Sequence, residues 1–153
     1  MAGKLTIHDA LEMAIKKEIA AYTLYSNLSN RVKSQGTKNM LIELAEQEKG
    51  HKILLEGVIK GEGQSQLGQN IPSGSSGIVS FMIETKINDD ATPPEVMTYA
   101  IKAEEKAFTF YNTLSNELSD PSLKDLFAKL ASEEKGHKIR LEDEYEEHFM
   151  KDN

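Results

Sequence analysis

Two short stretches carry the residues best suited to chemistry: "QEKGHK" at Gln47 to Lys52 and "EEKGHK" at Glu133 to Lys138. Each puts a glutamate three residues before a histidine, Glu48 before His51 and Glu134 before His137. Residues three apart on a helix share a face, so each pair can offer one oxygen and one nitrogen to a common point. Those are donors for a divalent cation. The chain has no cysteine, which excludes disulfides, thiolate metal sites, iron-sulfur clusters and cysteine nucleophiles. Any bound metal must sit on oxygen and imidazole nitrogen.

The two stretches belong to an internal repeat with an offset of 86 residues. Ala14 to Asn30 matches Ala100 to Asn116 at 10 of 17 positions, and Leu44 to Glu56 matches Leu130 to Glu142 at 10 of 13, without a gap. The periodicity and boundary residues divide the chain into four long helices, in two hairpins. The first is expected from a cap at Thr6 to about Val32. "SQGT" then reads as a turn before a second helix from Thr37 to about Lys60. Thr92, Pro93 and Glu95 form a cap, first-turn proline and capping box for the third, and Asp120 with Pro121 starts the fourth, which can run to about Met150. The expectation is one domain over residues 1–153: a hairpin over 6–60, a crossover over 61–91 and a hairpin over 92–150. Within the crossover, "IVSFMIETKIND" reads as a short helix or an extended segment. A crossover this long can return the third helix parallel to the second, giving an all-α, antiparallel four-helix bundle.

Each helix carries an ionisable group in the middle of its apolar stripe. The stripes read Leu11, Ile15, Glu18, Tyr22, Tyr25, Leu28 or Ser29, and Val32; Leu41, Leu44, Glu48, His51, Leu55 and Val58; Met97, Ile101, Glu104, Phe108, Tyr111 and Leu118; and Leu123, Phe127, Leu130, Glu134, His137, Leu141 and Tyr145. Glu104 and Glu134 each lie 15 residues from Ser119, so an antiparallel hairpin sets them at one height. Glu18 and Glu48 agree to within about one turn, or ~5 Å. Four carboxylates and two imidazoles therefore share one layer. Buried unpaired charge is prohibitive, and two divalent cations would neutralise this set. Gly50 and Gly136, one residue before each histidine, cost about 1 kcal/mol of helix stability relative to alanine; close packing beside the imidazole is their expected role.

A glutamate from each of two helices and Glu-x-x-His from each of the other two is the ligand pattern of di-metal carboxylate bundles. The sequence resembles a rubrerythrin-type diiron domain of the ferritin-like superfamily over both hairpins. The resemblance implies that Glu48 and Glu134 bridge two metals, that Glu18 and Glu104 are terminal ligands, and that His51 and His137 bind one metal each. These six are then the catalytic residues, acting through the metals. Tyr25 and Tyr111 fall where family members place tyrosines that hydrogen-bond the site carboxylates. Two iron ions are implied, although the ligand types also suit manganese or zinc. The chain departs from the family in two ways. Rubrerythrins proper have another carboxylate three residues after the third-helix glutamate, where this chain has Ala107, matched by Ala21. Full-length members also carry a cysteine-ligated rubredoxin centre, which cannot form here.

The activity implied is oxidation of a di-Fe(II) centre by hydrogen peroxide or dioxygen, with electrons from an external donor such as a rubredoxin-like protein. Iron oxidation for storage or delivery is an alternative, and a metal- or redox-sensing module is another. Eighteen Lys and Arg against 25 Asp and Glu leave a net charge of -7, which argues against nucleic acid or an anionic membrane as partner. The N-terminal stretch mixes charge into its apolar residues, unlike a secretory segment, so a cytoplasmic location is expected. The glycine- and serine-rich crossover suits a homodimer that exchanges hairpins. His8, His148 and Glu105 read as surface groups, and Tyr22, Phe108 and the methionines as packing residues.

Overall fold

The computed structural model describes residues 5–61, 67–72 and 87–150, the last without the Met150 side chain. Four long helices dominate it: α1 (Ile7–Ser29), α2 (Gln35–Lys60), α3 (Pro93–Glu117) and α4 (Pro121–Tyr145), the last continuing as a π-helical turn, Glu146–Met150. Among the described residues no helix is long and apolar enough to cross a membrane.

Local chemistry sets most helix starts. Thr6 and Asp9 form a reciprocal capping box at α1, and Thr92 with Glu95 forms another at α3. Asp120 accepts from the Leu123 backbone N–H, with Pro121 in the first turn of α4. The second helix begins earlier than the sequence suggests. Ser34 is its cap, accepting from the Thr37 N–H, so Gln35 and Gly36 are helical and "SQGT" is the first turn rather than a loop. Thr37 is instead buried, its hydroxyl bonded to Glu144 of α4. The first helix also stops short of Val32, at Ser29, where the Asn30 N–H bonds back to the Asn27 and Leu28 carbonyls.

The crossover contributes structure that its composition conceals. Residues 67–72 lie against the start of α1: the Ile7 and His8 N–H groups donate to the Gln69 and Leu67 carbonyls at 3.0 and 2.9 Å, and Ile71 donates to Leu5 at 2.9 Å. First-turn N–H groups have no partner within their own helix, so these carbonyls satisfy two of them. Leu67 and Ile71 are buried in the core. Most of "IVSFMIETKIND" lies outside the described residues, so its structure is left there.

Cross-bundle pairings fix the directions. Glu18 meets Tyr111 and Tyr25 meets Glu104, so α1 and α3 are antiparallel; Gln47 meets His137 and His51 meets Glu133, so α2 and α4 are antiparallel. This is the ferritin-like arrangement expected of a long crossover, with α3 parallel to α2. Among the described residues the apolar core forms two clusters. One includes Leu11, Leu55, Phe110, Leu114, Phe127 and Leu130; the other includes Leu28, Leu41, Leu44, Met97, Ala100 and Leu141. Of the expected stripe residues, Ile15, Tyr22, Val32, Val58, Ile101, Phe108 and Tyr145 are only half-buried.

Candidate metal centre

Where the apolar stripes are interrupted, all six ionisable residues turn inward: Glu18, Glu48, His51, Glu104, Glu134 and His137 are each at most 5% exposed. Their ligand-type atoms fall into two groups, each within 4.8 Å across. One comprises Glu18, Glu48, His51 and Glu134; the other comprises Glu48, Glu104, Glu134 and His137. Glu48 and Glu134 belong to both. The 86-residue repeat thus appears in space as two overlapping groups of like composition.

Both imidazoles aim the same nitrogen at the centre. His51 Nδ1 lies 3.4, 3.2 and 3.5 Å from oxygens of Glu18, Glu48 and Glu134. His137 Nδ1 lies 3.3, 3.1 and 3.1 Å from oxygens of Glu48, Glu104 and Glu134. The rings are stacked with centroids 5.8 Å apart. Their Nε2 atoms point away, to Glu133 Oε1 at 2.8 Å for His51 and to Gln47 Oε1 at 2.6 Å for His137. An N–H at Nε2 that donates to these oxygens keeps its proton, so Nδ1 is the nitrogen that can give one up and offer a lone pair toward the carboxylates.

The tyrosines cross between hairpins. Tyr25 of α1 donates to Glu104 Oε2 at 2.8 Å, and Tyr111 of α3 donates to Glu18 Oε2 at 2.5 Å. Each holds the carboxylate of the opposite repeat. Burial, followed by the charge of Glu104 on Tyr25 and of Glu18 on Tyr111, holds both phenols well above their usual range, so they remain donors.

Electrostatics in this layer depart widely from those of free side chains. Burial, followed by the charge of Glu48, pushes the carboxyls of Glu18 and Glu104 up to about 7. Burial and then the charges of Glu104, Glu48 and Glu18 hold Glu134 well above the usual range. Burial also resists ionisation of Glu48, yet the imidazoles of His137 and His51, with Nδ1 atoms 3.3 and 3.2 Å from it, bring it down to about 2. For the imidazoles, burial again opposes charge, but Glu18 and Glu48 raise His51 to about 11, and Glu104 and Glu48 raise His137 to about 9. Four acids in one dry layer cannot all ionise without cations beside them, whether protons or metals.

The donor set passes a direct test for metal. Glu18 Oε1, both oxygens of Glu48, His51 Nδ1 and Glu134 Oε1 are buried without a well-directed hydrogen bond. Such orphaned atoms are rare in folded proteins and call for a partner such as an ion. All are hard oxygen or imidazole donors, as divalent iron, manganese or zinc requires.

A cavity of about 370 Å³ reaches this layer from one side. Ala21, Leu24, Ile87, Ala103 and Ala107 line it, and Glu48, Glu104 and Glu134 stand at its inner wall. Ala21 and Ala107 thus open onto the cavity where a longer side chain would fill it.

Among the described residues, every buried ionisable side chain lies on a stripe legible in the sequence, whereas Gln47 and Glu133, which face the outer histidine nitrogens, do not. Each lies four residues before a histidine, about one helical turn away, which was the available signal. The expected role for Gly50 and Gly136 is wrong: a Cβ at either would meet nothing within 4 Å, and both are exposed, so they make no close contact beside the imidazoles. Glu105 is exposed and pairs with Lys138 at 3.0 Å. His8 and His148 pair with Glu12 and Glu144 at 3.6 and 3.4 Å, away from the buried layer.

Comparison with known proteins gives a consistent picture. A family model described as rubrerythrin matches residues 9–74 and 95–153. The crystal structure of a Thermotoga maritima protein, described as ferritin-like and diiron-carboxylate, shares the fold with a TM-score of 0.76 at 22% identity, covering 96% of this chain and 99% of that one. A hypothetical protein from Pyrococcus furiosus superposes with a TM-score of 0.69 at 28% identity, covering 92% of this chain and 89% of that one. No curated protein matches.

Proposed function

Since the chain belongs to the rubrerythrin family, we propose that it holds two iron ions and reduces hydrogen peroxide or dioxygen at the expense of an external electron donor. The observation that carries this reading is the pair of overlapping donor groups sharing Glu48 and Glu134. In it, Glu48 and Glu134 serve both metal positions, Glu18 and His51 complete one, and Glu104 and His137 complete the other. When bound, the metal pair supplies two electrons, which with two protons convert one hydrogen peroxide into two waters.

The chain's own residues shape that chemistry. Tyr111 and Tyr25 each restrain one oxygen of Glu18 and Glu104, which limits how those carboxylates can turn. The two apolar clusters keep bulk water from the layer. The cavity's largely apolar lining suits a small neutral oxidant better than a hydrated cation in transit, which favours peroxide or dioxygen reduction over iron storage. Without cysteine the chain cannot carry a thiolate-ligated electron-transfer centre, so a separate rubredoxin-like donor belongs to the proposal. A cytoplasmic homodimer is the setting proposed.

Anaerobic loading with Fe(II), then one equivalent of hydrogen peroxide, tests this reading. Near-ultraviolet absorption of oxidised, protein-bound iron should develop within seconds, with two irons per chain. Oxidation no faster than that of free Fe(II) would refute the activity. Light scattering on the product should find a dimer; a hollow particle of many subunits would point to storage instead.

A further inference from the structure

The repeat makes the two halves of the centre alike in every inward-facing group: Glu18 corresponds to Glu104, Glu48 to Glu134, His51 to His137, and Tyr25 to Tyr111. One step outward the likeness fails. Gln47 and Glu133 occupy corresponding positions, and each faces the outer nitrogen of the other half's histidine. His51 therefore leans on a carboxylate and His137 on a neutral amide. The cavity breaks the symmetry again, because Glu104 lines it and its counterpart Glu18 does not.

From these two inequalities we infer that the Glu18–His51 position takes up its cation first and retains it, whereas the Glu104–His137 position is the exchangeable one and receives exogenous ligands through the cavity. The inference rests on the proposed two-metal reading. A carboxylate accepting the imidazole N–H leaves the inward nitrogen more electron-rich and adds a negative charge near one cation. An amide oxygen supplies only the hydrogen bond. Glu133 is 41% exposed and has Lys129 at 4.0 Å. Screening therefore weakens its long-range charge, while the 2.8 Å contact with His51 Nε2 persists. Gln47 and Glu133 are positioning residues that act through the histidines. The open side has room for a small ligand such as a diatomic molecule or azide, since Ala21 and Ala107 leave space there.

Cobalt(II) titration of chelated full-length protein separates the positions, with visible absorption reporting coordination and azide as the exogenous probe. Two resolved binding steps are expected, with azide altering the spectrum of the second equivalent only. Glu133→Gln should weaken the first step by about 10- to 100-fold, the usual range for loss of such a partner, and draw the steps together. Exchanging the pair, Gln47→Glu with Glu133→Gln, should reverse the order so that the first equivalent becomes azide-sensitive. Two equal steps in the native chain, or no response of order to the exchange, would overturn this inference while leaving a two-metal centre standing. Failure to bind two cobalt ions would remove the two-metal reading and this inference together.

Discussion

Loading chelated protein with two Mn(II) ions at pH 7 should expel at least about three protons per chain. The number follows from the titration states of the buried layer. His51 and His137, raised to about 11 and about 9, both hold protons at pH 7. Glu134, held well above its ordinary range by burial and the neighbouring carboxylates, can only add to the count. Glu18 and Glu104, at about 7, share roughly one proton between them on average. Glu48, at about 2, has none. Metal binding needs all six as bases, so two doubly charged cations replace at least about three protons. Six groups of the same types on a surface would hold only about half a proton in total at this pH. The release should also fall by about two protons between pH 5.5 and pH 8.5, as first Glu18 and Glu104 and then His137 empty. Calorimetry in buffers of different ionisation enthalpy yields the count as a slope. A release below about one proton at pH 7, or one that ignores pH, would refute the claim that these groups hold one another's protons in a dry layer.

The same groups should make the chelated protein less stable toward urea as pH rises from 5 to 9. Glu18, Glu104, His51 and His137 have folded pKa values above their ordinary 4.5 and 6.5; their stabilising contribution is complete below those ordinary values and is lost through about 7 for the glutamates and about 9 and 11 for the histidines. Glu48 acts in the opposite sense, its contribution disappearing only as pH falls from 4.5 toward about 2, so a urea midpoint that climbs between pH 5 and 9 would contradict this account. Gly50→Ala and Gly136→Ala should each raise stability by about 0.5–1 kcal/mol, since the added methyl meets nothing and the helix gains propensity; a loss of stability in chemical denaturation would reveal a contact. Tyr25→Phe and Tyr111→Phe should each cost about 1–3 kcal/mol in metal-loaded protein by stripping a buried carboxylate of its donor, and unchanged unfolding midpoints would show that metal alone orients Glu104 and Glu18.

The four helices, their pairing into hairpins and the convergence of Glu18, Glu48, His51, Glu104, Glu134 and His137 on one layer were legible in the order of residues alone. These are consequences of local geometry: helical spacing assigns a residue to a face, and counting to a short turn assigns it a height. Other features depended on which helix lies beside which, and in what direction. Antiparallel contact of α1 with α3 sends Tyr25 to Glu104 and Tyr111 to Glu18, while the α2–α4 contact exchanges the outer partners Gln47 and Glu133 between the histidines. The exposure of Gly50 and Gly136 and the burial of Leu67 and Ile71 were likewise tertiary outcomes. A side chain's spacing says which way it points from its own helix. What it meets there is decided by segments that are remote along the chain and brought together only when the bundle packs.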